Sequence, residues 1–97
     1  MRTEEQHYTL VWSTFFVRTA KRFLKRHPEM RGVFSDVLHK LECNPQDPEL
    51  RLHSLRGKLA GRQAVSLTYS YRIVLTLEVA EREIILLDVG SHDEVYG

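Results

Sequence analysis

The apolar residues of this 97-residue chain change their spacing halfway along the sequence. In the first half they recur at intervals of three and four residues, which is the period of an α-helix. In the second half they alternate with polar residues, which is the period of a β-strand. A chain of this length is expected to form one domain around one core. The change of period therefore predicts a single α+β domain spanning residues 1–97, with the polar residues 1–6 as a candidate disordered end.

Two helices are predicted in the first half, after a first strand at residues 7–12. Ser13 belongs to the residue types that cap helices, and Pro28 separates the two helical patterns. The first pattern has an apolar face of Phe16, Ala20, Phe23, Leu24 and His27 and an opposite basic face of Arg18, Lys21, Arg22, Lys25 and Arg26. The second has Met30, Val33, Phe34, Val37, Leu38 and Leu41 at helical spacing. Two such helices meeting at a proline predict an antiparallel hairpin.

Three strands are predicted in the second half. Residues 64–69 and 71–77 alternate on either side of a tight turn near Ser70. Residues 83–89 follow another turn, and the apolar run IILLDV indicates burial on both faces. The predicted order is β-α-α-β-β-β, which gives a small antiparallel sheet with the N-terminal helical hairpin packed on one face.

The net charge is only +1, but the charges are unevenly distributed. Residues 51–75 contain five basic residues and no acid, and the stretch between Glu5 and Glu29 also contains five basic residues and no acid. Residues 76–97 contain one arginine and six acids. This asymmetry is typical of a protein with a polyanionic partner. A solvated helix face combined with a basic loop explains it equally well.

Several classes of protein are disfavoured by composition. The single cysteine, Cys43, allows no internal disulfide, which suits a reducing cytoplasm. No apolar stretch approaches the length of a membrane span, and the first residues, MRTEEQ, do not resemble a signal peptide. Cys43 and His53 do not have zinc-site spacing. We therefore expect a cytoplasmic protein without a membrane association, a metal or a cofactor.

The residues that could carry chemistry are scattered along the second half: His53, Arg56, Lys58, Arg62, Arg72, His92 and Tyr96. Taken singly, each has a structural explanation, such as a surface histidine, a strand arginine facing a cross-strand acid, or an aromatic anchor for the tail. Antiparallel neighbours place the start of one strand beside the end of the next. Arg72 and His92 are therefore expected to approach each other.

Three segments carry a resemblance to a known family: HSLRGKLAG from His53, SYRIVL from Ser70, and LLDVGSHDEVY ending at Tyr96. Together they resemble the RelE/ParE superfamily of bacterial toxins, and most closely the RelE and YafQ mRNA interferases of type II toxin–antitoxin modules. The resemblance implies a small protein that enters the ribosomal A site and cleaves messenger RNA without a metal. It also implies a cognate antitoxin, since free toxin would be lethal.

The resemblance also suggests roles for individual residues. His53 and His92 match the family's loop and C-terminal histidines and are the acid and base candidates, in either order. Arg72 matches the strand arginine that stabilises phosphate charge, and Tyr96 matches an aromatic that stacks on a base or aids proton transfer. Charge alone suggests that Arg56, Lys58 and Arg62 hold the RNA backbone.

The sequence departs from the family at several positions. Ser66, Ser70 and Tyr71 stand where YafQ-like members have a histidine and an Asp-Trp pair, and residues 64–69 lack the lysines of RelE-like members. These departures leave room for a weak activity. They also keep two alternatives open: a non-catalytic ParE-like inhibitor of DNA gyrase, and a decayed toxin that retains only antitoxin binding.

Overall fold

The computed structural model describes residues 7–96, and the expectation for residues 1–6 lies outside this range. The chain forms β1 (Thr9–Trp12), α1 (Thr14–Arg26), α2 (Arg31–Cys43), β2 (His53–Ser54), β3 (Gln63–Ser66), β4 (Tyr71–Glu78), β5 (Glu83–Ser91) and α3 (His92–Tyr96). The loops also contain three single 3₁₀ turns, at Pro28–Met30, Pro48–Leu50 and Gly57–Leu59. The predicted α+β class and the order of the main elements are confirmed.

The five strands form one sheet in the order β1-β5-β4-β3-β2. β3, β4 and β5 pair antiparallel as expected, with Ser66 opposite Arg72 and Arg72 opposite Gly90. β1 instead pairs in parallel with β5, with Thr9 opposite Glu83, so the sheet is mixed rather than purely antiparallel. A parallel pair requires a long connection between its strands, and the chain from α1 to β4 supplies it.

Helix α1 forms where its apolar period and its cap predict it. The Ser13 hydroxyl accepts a hydrogen bond from the Phe16 amide at 3.0 Å, which satisfies one of the free N–H groups of the first turn. Phe16, Ala20 and Phe23 are buried on one side of the helix. The basic residues therefore lie on the exposed side.

Helix α2 begins later than its leading proline suggests. Pro28 opens a 3₁₀ turn that ends at Met30, and α2 starts at Arg31. The buried residues Phe34, Val37 and Leu41 of α2 face the core, where the Phe34 and Phe16 rings stack with centroids 6.1 Å apart. The helical hairpin covers one face of the sheet.

The two faces of the sheet have different surroundings. Ile73 and Leu75 of β4 are fully buried in the core under the hairpin. Because side chains alternate along a strand, Arg72 and Val74 point to the opposite face. Residues paired directly across strands share a face, so this second face, called the open face below, also carries Ser66, Asp88 and Gly90.

The run IILLDV is buried less symmetrically than predicted. Ile84 and Leu86 are fully buried on the hairpin side, whereas Ile85 and Leu87 are only half-buried. A bulge between Val74 and Leu75 shifts the pairing of β4 with β5 at this point. The open face is thus only partly covered, and its cover comes from the chain terminus and from the loop between β2 and β3.

Candidate active site

The tail is a helix rather than a frayed end. The Ser91 amide donates to Glu94 Oε1 at 2.8 Å, and the Glu94 amide donates to Ser91 Oγ at 3.3 Å. This reciprocal pair is a capping box, which satisfies the N–H groups that a short helix would otherwise leave free. The Ser91 amide is also the main cause that lowers the pKa of the Glu94 carboxyl, because its hydrogen bond stabilises the ionised form. The box fixes the start of α3 against the end of β5.

Gly90 allows α3 to pack closely on the open face. A Cβ atom on Gly90 would lie 2.8 Å from Glu94 Oε1, 3.2 Å from Glu94 Cβ and 3.4 Å from Val95 Cγ1. The Val95 side chain is buried, and it anchors the helix. The absence of a side chain at Gly90 therefore sets the distance between α3 and β5, at the position directly opposite Arg72 of β4.

Three of the sequence-predicted residues meet at this point. The guanidinium carbon Cζ of Arg72 lies 5.7 Å from the centre of the Tyr96 ring, within range of a cation–π interaction. The His92 and Tyr96 ring centres are 4.5 Å apart and nearly perpendicular, with an angle of 88°. His92 and Tyr96 are one helical turn apart, so α3 places both on the same side. Arg72, His92 and Tyr96 are called the tail cluster below.

The tail cluster contains polar atoms without partners. Within the part of the chain that the structure describes, Arg72 Nε and Tyr96 Oη are buried and make no hydrogen bond. Such groups are costly to leave unsatisfied, and each one calls for an explanation. Both groups can donate a hydrogen bond, but neither atom is open to solvent, so a ligand would meet the terminal nitrogens of the guanidinium rather than these two atoms.

The His92 ring is accessible from solvent. Its side chain is 64% exposed, and its Nδ1 lies 3.6 Å from Asp93 Oδ1, a contact that is an ion pair when the ring is protonated. Asp93 itself is fully exposed. The imidazole can therefore reach a bound substrate without movement of the backbone.

His53 lies apart from the tail cluster. It is exposed on β2 at the far edge of the sheet, opposite Ala64, which in turn pairs with Val74. These pairings place His53 on the open face with Arg72, two strands away. With strand spacings of ~4.8 Å and a rise of ~3.3 Å per residue, the Cα atoms of His53 and Arg72 would be about 12 Å apart on a flat sheet.

The His53 ring has a defined tautomer when neutral. Its Nδ1 is 2.9 Å from the Arg51 carbonyl oxygen. Because a carbonyl oxygen can only accept, Nδ1 carries the proton and Nε2 keeps its lone pair. Arg51 adopts a left-handed conformation with φ of 55°, and this turn brings its carbonyl to the ring. His53 can therefore accept a proton through Nε2.

The three predicted backbone-binding cations lie in the loop between β2 and β3. Its ends are joined by a hydrogen bond from the Leu55 amide to the Arg62 carbonyl oxygen at 2.9 Å. Arg56, Lys58 and Arg62 are all exposed. Within residues 7–96, no acidic side chain lies within ion-pair distance of any of the three. The loop therefore presents uncompensated positive charge.

A hollow of about 280 Å³ lies between this loop and the tail helix. Arg62 and Asp88 are its charged lining groups. The remaining lining residues are Ser13, Phe15, Leu59, Val74, Leu87 and Val95. The hollow is therefore mainly apolar, and the polar chemistry lies at its rims: the loop cations on one side and the tail cluster next to Val95 on the other.

Asp88 is a residue at this site that sequence reasoning missed. Its side chain accepts a hydrogen bond from the Val89 amide at 2.8 Å, and it lines a hollow together with Thr19 of α1, whose hydroxyl donates to the Phe16 carbonyl oxygen at 3.2 Å. Burial is the largest influence on Asp88 and raises the pKa of its carboxyl. An acid inside the apolar run IILLDV was the available signal. Asp88 joins α1 to the open face.

The three positions at which this sequence departs from the family lie in different parts of the structure. Ser66 lies on the open face directly opposite Arg72. Ser70 is exposed in the turn, where its amide donates to Thr68 Oγ1 at 3.2 Å. The Tyr71 ring instead packs on the hairpin side, with centroids 5.0 Å from Phe23 and 4.9 Å from His27. Tyr71 therefore has a packing role in this protein and does not face the tail cluster.

The acidic residues of the β4–β5 turn lie far from the tail cluster. Glu78 pairs with Glu83 at the opposite end of the two strands from Arg72. Six residues separate Arg72 and Glu78, which corresponds to about 20 Å along an antiparallel strand. These carboxylates therefore do not oppose the positive charge of Arg72.

Two further properties concern residues 7–96 only. No three side chains among their histidines, cysteines, aspartates and glutamates are grouped so that they could hold a metal ion. No helix in this range has the length and apolar character needed to cross a membrane.

The mixed sheet, the helical hairpin on one face and the open face on the other define a class by fold: the same fold is seen in solved bacterial toxins, among them YafQ and a YoeB/ParE toxin from Agrobacterium tumefaciens. The fold that the sequence resemblance implies is confirmed. No protein-family model and no curated protein matches the sequence.

Particular toxins share this fold over nearly their whole length. YafQ from Escherichia coli strain BL21(DE3) covers 93% of this chain and 99% of its own, with a TM-score of 0.78 and 17% identity. The E. coli DinJ–YafQ toxin–antitoxin complex gives coverages of 94% and 99%, a TM-score of 0.77 and 17% identity. A copper-bound L66S mutant toxin from Helicobacter pylori gives coverages of 91% and 98%, a TM-score of 0.73 and 25% identity.

Proposed function

We propose that this protein is the toxin of a type II toxin–antitoxin pair and that it cleaves messenger RNA in the ribosomal A site. The observation that carries the proposal is the tail cluster, in which one aromatic ring, that of Tyr96, contacts both a guanidinium and an accessible imidazole. The likeness to YafQ in fold supports the same assignment.

The proposed reaction uses groups of the protein and of the RNA. A general base removes the proton of a ribose 2′-hydroxyl, and the oxygen attacks the adjacent phosphorus. The bond from phosphorus to the 5′-oxygen breaks, and a general acid protonates that oxygen. The products are a 2′,3′-cyclic phosphate and a 5′-hydroxyl end. Arg72, which is only partly buried, would donate to the phosphoryl oxygens through the terminal N–H groups of its guanidinium as their negative charge increases.

We assign the base to His53 and the acid to His92. The hydrogen bond from His53 Nδ1 to the Arg51 carbonyl leaves Nε2 free to accept the 2′-hydroxyl proton. His92 faces Asp93, which can pair with the protonated ring before it donates. His53 on β2 and Arg72 on β4 are separated by β3, so the scissile nucleotide would lie across this strand.

Tyr96 completes the proposed site by contacting both Arg72 and His92. Its ring lies between the Arg72 guanidinium and the His92 imidazole. Its partly exposed ring offers a surface on which a base can stack. Arg56, Lys58 and Arg62 would hold the RNA backbone on the other side of the hollow. Ser66, in place of a proton-transfer group, is consistent with a modest rate.

The proposal includes a cytoplasmic location and an antitoxin partner. The likeness to the DinJ–YafQ complex supports the partner. Val11, Trp12 and Phe15 are large apolar residues exposed by 38%, 44% and 54% near the junction of β1 and α1. Exposed apolar surface of this kind is typical of a protein–protein contact. Co-purification with the product of the neighbouring reading frame would test this part.

The test of cleavage is inducible expression in a bacterial host, with 5′ ends of ribosome-bound messenger RNA mapped by primer extension. The wild type is expected to arrest growth and to cut within A-site codons. Arg72→Ala and His92→Ala should fold, judged by circular dichroism, and should do neither. Arg31→Ala, at an exposed position of α2, is the matched control and should remain active. Full toxicity of both site variants would end the assignment, and intact messenger RNA with blocked gyrase would favour the ParE-like alternative.

A modified substrate separates the acid from the base. Replacing the 5′-bridging oxygen at the cut site with sulfur creates a leaving group that needs no proton. His92→Ala should recover cleavage on this substrate, whereas His53→Ala should not. Recovery by His53→Ala alone would reverse the two roles.

A further inference from the structure

The hollow between the β2–β3 loop and the tail helix has no part in the proposed reaction, and it is called the loop–tail hollow below. Its volume is about 280 Å³, whereas pockets that hold drug-sized ligands are usually about 300–1,000 Å³. It therefore suits one small group, such as a planar ring. Val74 lines the hollow and lies two residues from Arg72 on the same face of β4, or about 7 Å along the strand. An occupant of the hollow is therefore close to a phosphate held at Arg72.

Asp88 is the acid that lines the hollow, and its position there is a cost to the fold. Burial raises the pKa of its carboxyl. Within residues 7–96 no cationic side chain lies within ion-pair distance of Asp88, although Arg62 lines the same hollow. The Val89 amide occupies one acceptor position of the carboxylate, which has about four, so both oxygens can still accept. An apolar strand that keeps such an acid points to a function for it.

An aromatic ring forms another wall of the hollow. Phe15 is 54% exposed and lines the hollow together with the apolar residues Leu59 and Leu87. Unpaired nucleic-acid bases stack on exposed aromatic rings of this kind. The loop–tail hollow thus combines a stacking surface and apolar walls with two charged groups, Asp88 and Arg62. This combination is typical of a small binding site in which a few polar groups fix the orientation of a ring.

The two charged groups restrict what can fill the hollow. An apolar side chain of a protein partner would bury the Asp88 carboxylate further without giving it a hydrogen bond, which is costly. A lysine or arginine of a partner would pair with Asp88 but would meet the positive charge of Arg62. A nucleobase avoids both problems, because its neutral ring carries N–H donors and acceptor atoms along its edges.

We propose that the loop–tail hollow binds a guanine base of the message, on a nucleotide next to the cut, and that Asp88 and Arg62 select this base. The inference rests on the proposed function. Guanine has two adjacent donors, N1–H and N2–H, for the two oxygens of Asp88, and two adjacent acceptors, O6 and N7, for the fork of Arg62. Adenine, cytosine and uracil have neither pair. Arg62 has five N–H donors, so it can contact a base and the RNA backbone together.

The first test measures single-turnover cleavage on ribosomes whose messages differ only at the nucleotides next to the cut. The wild type should cut a message with guanine at one fixed position about tenfold or more faster than one with adenine, since a bidentate contact discriminates by roughly ten- to a hundredfold. Inosine, which lacks the N2 amino group, should be cut several-fold more slowly than guanosine. Equal rates for guanosine, inosine and adenosine would overturn the inference without the use of any variant.

Three variants separate the roles of the lining residues. Asp88→Asn should cut the guanosine and inosine messages at the same rate. Asp36→Asn, the same change at an exposed position of α2, is the control and should keep the preference for guanosine. Phe15→Leu should slow cleavage of all messages by a similar factor, because stacking does not distinguish bases. A preference for guanosine that persisted in Asp88→Asn would overturn the role of Asp88.

The second test needs no ribosome and no cleavage. The full chain is titrated with guanosine 5′-monophosphate, and with the adenosine, cytidine and uridine monophosphates, while backbone amide chemical shifts are recorded. The guanosine nucleotide should shift the amides of Leu59, Leu87 and Val95 and should bind about fivefold or more tightly than the other three. Asp88→Asn should remove this difference. Equal binding of all four nucleotides, or shifts confined to other parts of the chain, would overturn the inference.

The outcomes separate this inference from the proposed function. A wild-type protein that cuts ribosome-bound message without a base preference would overturn the inference alone. A protein that binds the guanosine nucleotide through Asp88 but cuts no message would support a guanine site and overturn the proposed cleavage. A hollow that is filled by the product of the neighbouring reading frame and shows no nucleotide selectivity would belong to a protein contact, which would also overturn the inference.

Discussion

Replacing Gly90 with alanine should loosen the tail helix, because the new methyl group has no room. It would lie 2.8 Å from Glu94 Oε1, the oxygen that holds the Ser91 amide, and 3.2 Å from Glu94 Cβ. Moving the carboxylate away breaks the capping box, and moving the whole helix separates α3 from β5. Gly90 does not have a positive φ, so the backbone itself tolerates alanine.

The size of the effect follows from two opposing contributions. Overpacking of this kind costs about 1–3 kcal/mol. Alanine also reduces the freedom of the unfolded chain, which stabilises the fold by about 0.4–1 kcal/mol. The net expectation for Gly90→Ala is a free energy of unfolding lower by about 1–2 kcal/mol. In a domain of this length each 1 kcal/mol shifts the midpoint of thermal unfolding by roughly 4–8 °C.

Gly32→Ala is the matched control. Gly32 is exposed in α2, and an added Cβ there would meet nothing within 4 Å. Alanine should therefore stabilise the protein by about 0.5–1 kcal/mol. Urea unfolding followed by circular dichroism measures both variants. If Gly90→Ala gained as much stability as Gly32→Ala, the close packing of α3 on β5 would be wrong.

Three further predictions concern neighbouring groups. Ser91→Ala removes the cap of α3 and should lower the free energy of unfolding, measured with urea, by about 1 kcal/mol. Its control, Ser35→Ala inside α2, should be neutral or stabilising. Equal effects of the two substitutions would contradict the role of the capping box. The raised pKa of Asp88 means that the folded state binds its proton more tightly than the unfolded state, so its contribution to stability is present below about pH 4 and is lost as the pH rises through the folded pKa. Asp88→Asn should abolish this part of the pH dependence and should be more stable than the wild type at pH 7. If the difference in free energy of unfolding between Asp88→Asn and the wild type were the same at every pH from 4 to 7, the explanation would be refuted. Arg72→Lys keeps the charge but loses the planar donors, so single-turnover cleavage should fall by about 10²–10³-fold, and wild-type rates would exclude Arg72 from the reaction.

The helical part of the fold could be predicted because its signals are local. Ser13 caps α1 as its residue type predicts, and the apolar period of α2 matches the buried residues Phe34, Val37 and Leu41. The parallel pairing of β1 could not be predicted in the same way. A period of two gives the faces of a strand but not its direction, which depends on the packing of the whole chain.

The candidate site was predictable in its residue types but not in its arrangement. Pairing of β4 with β5 brought Arg72 near the tail, as antiparallel geometry requires. The helix that places Tyr96 between Arg72 and His92 is only five residues long, too short to show an apolar period. Its signal was the sequence SHDE, in which Ser91 and Glu94 have the spacing of a capping box. The separation of His53 from the tail cluster depends on strand order, which the spacing of residues does not determine.

The chemical nature of the RNA ends produced on ribosomes tests the central claim most directly. Attack by the 2′-hydroxyl predicts a 5′-hydroxyl end and a 2′,3′-cyclic phosphate, and a single 2′-deoxy nucleotide at the cut site should abolish cleavage. His92→Ala should yield neither end. Cuts that leave 5′-phosphate ends, or that continue unchanged at the deoxy position, would contradict the claim that the tail cluster and His53 catalyse transfer of the phosphate to the 2′-oxygen.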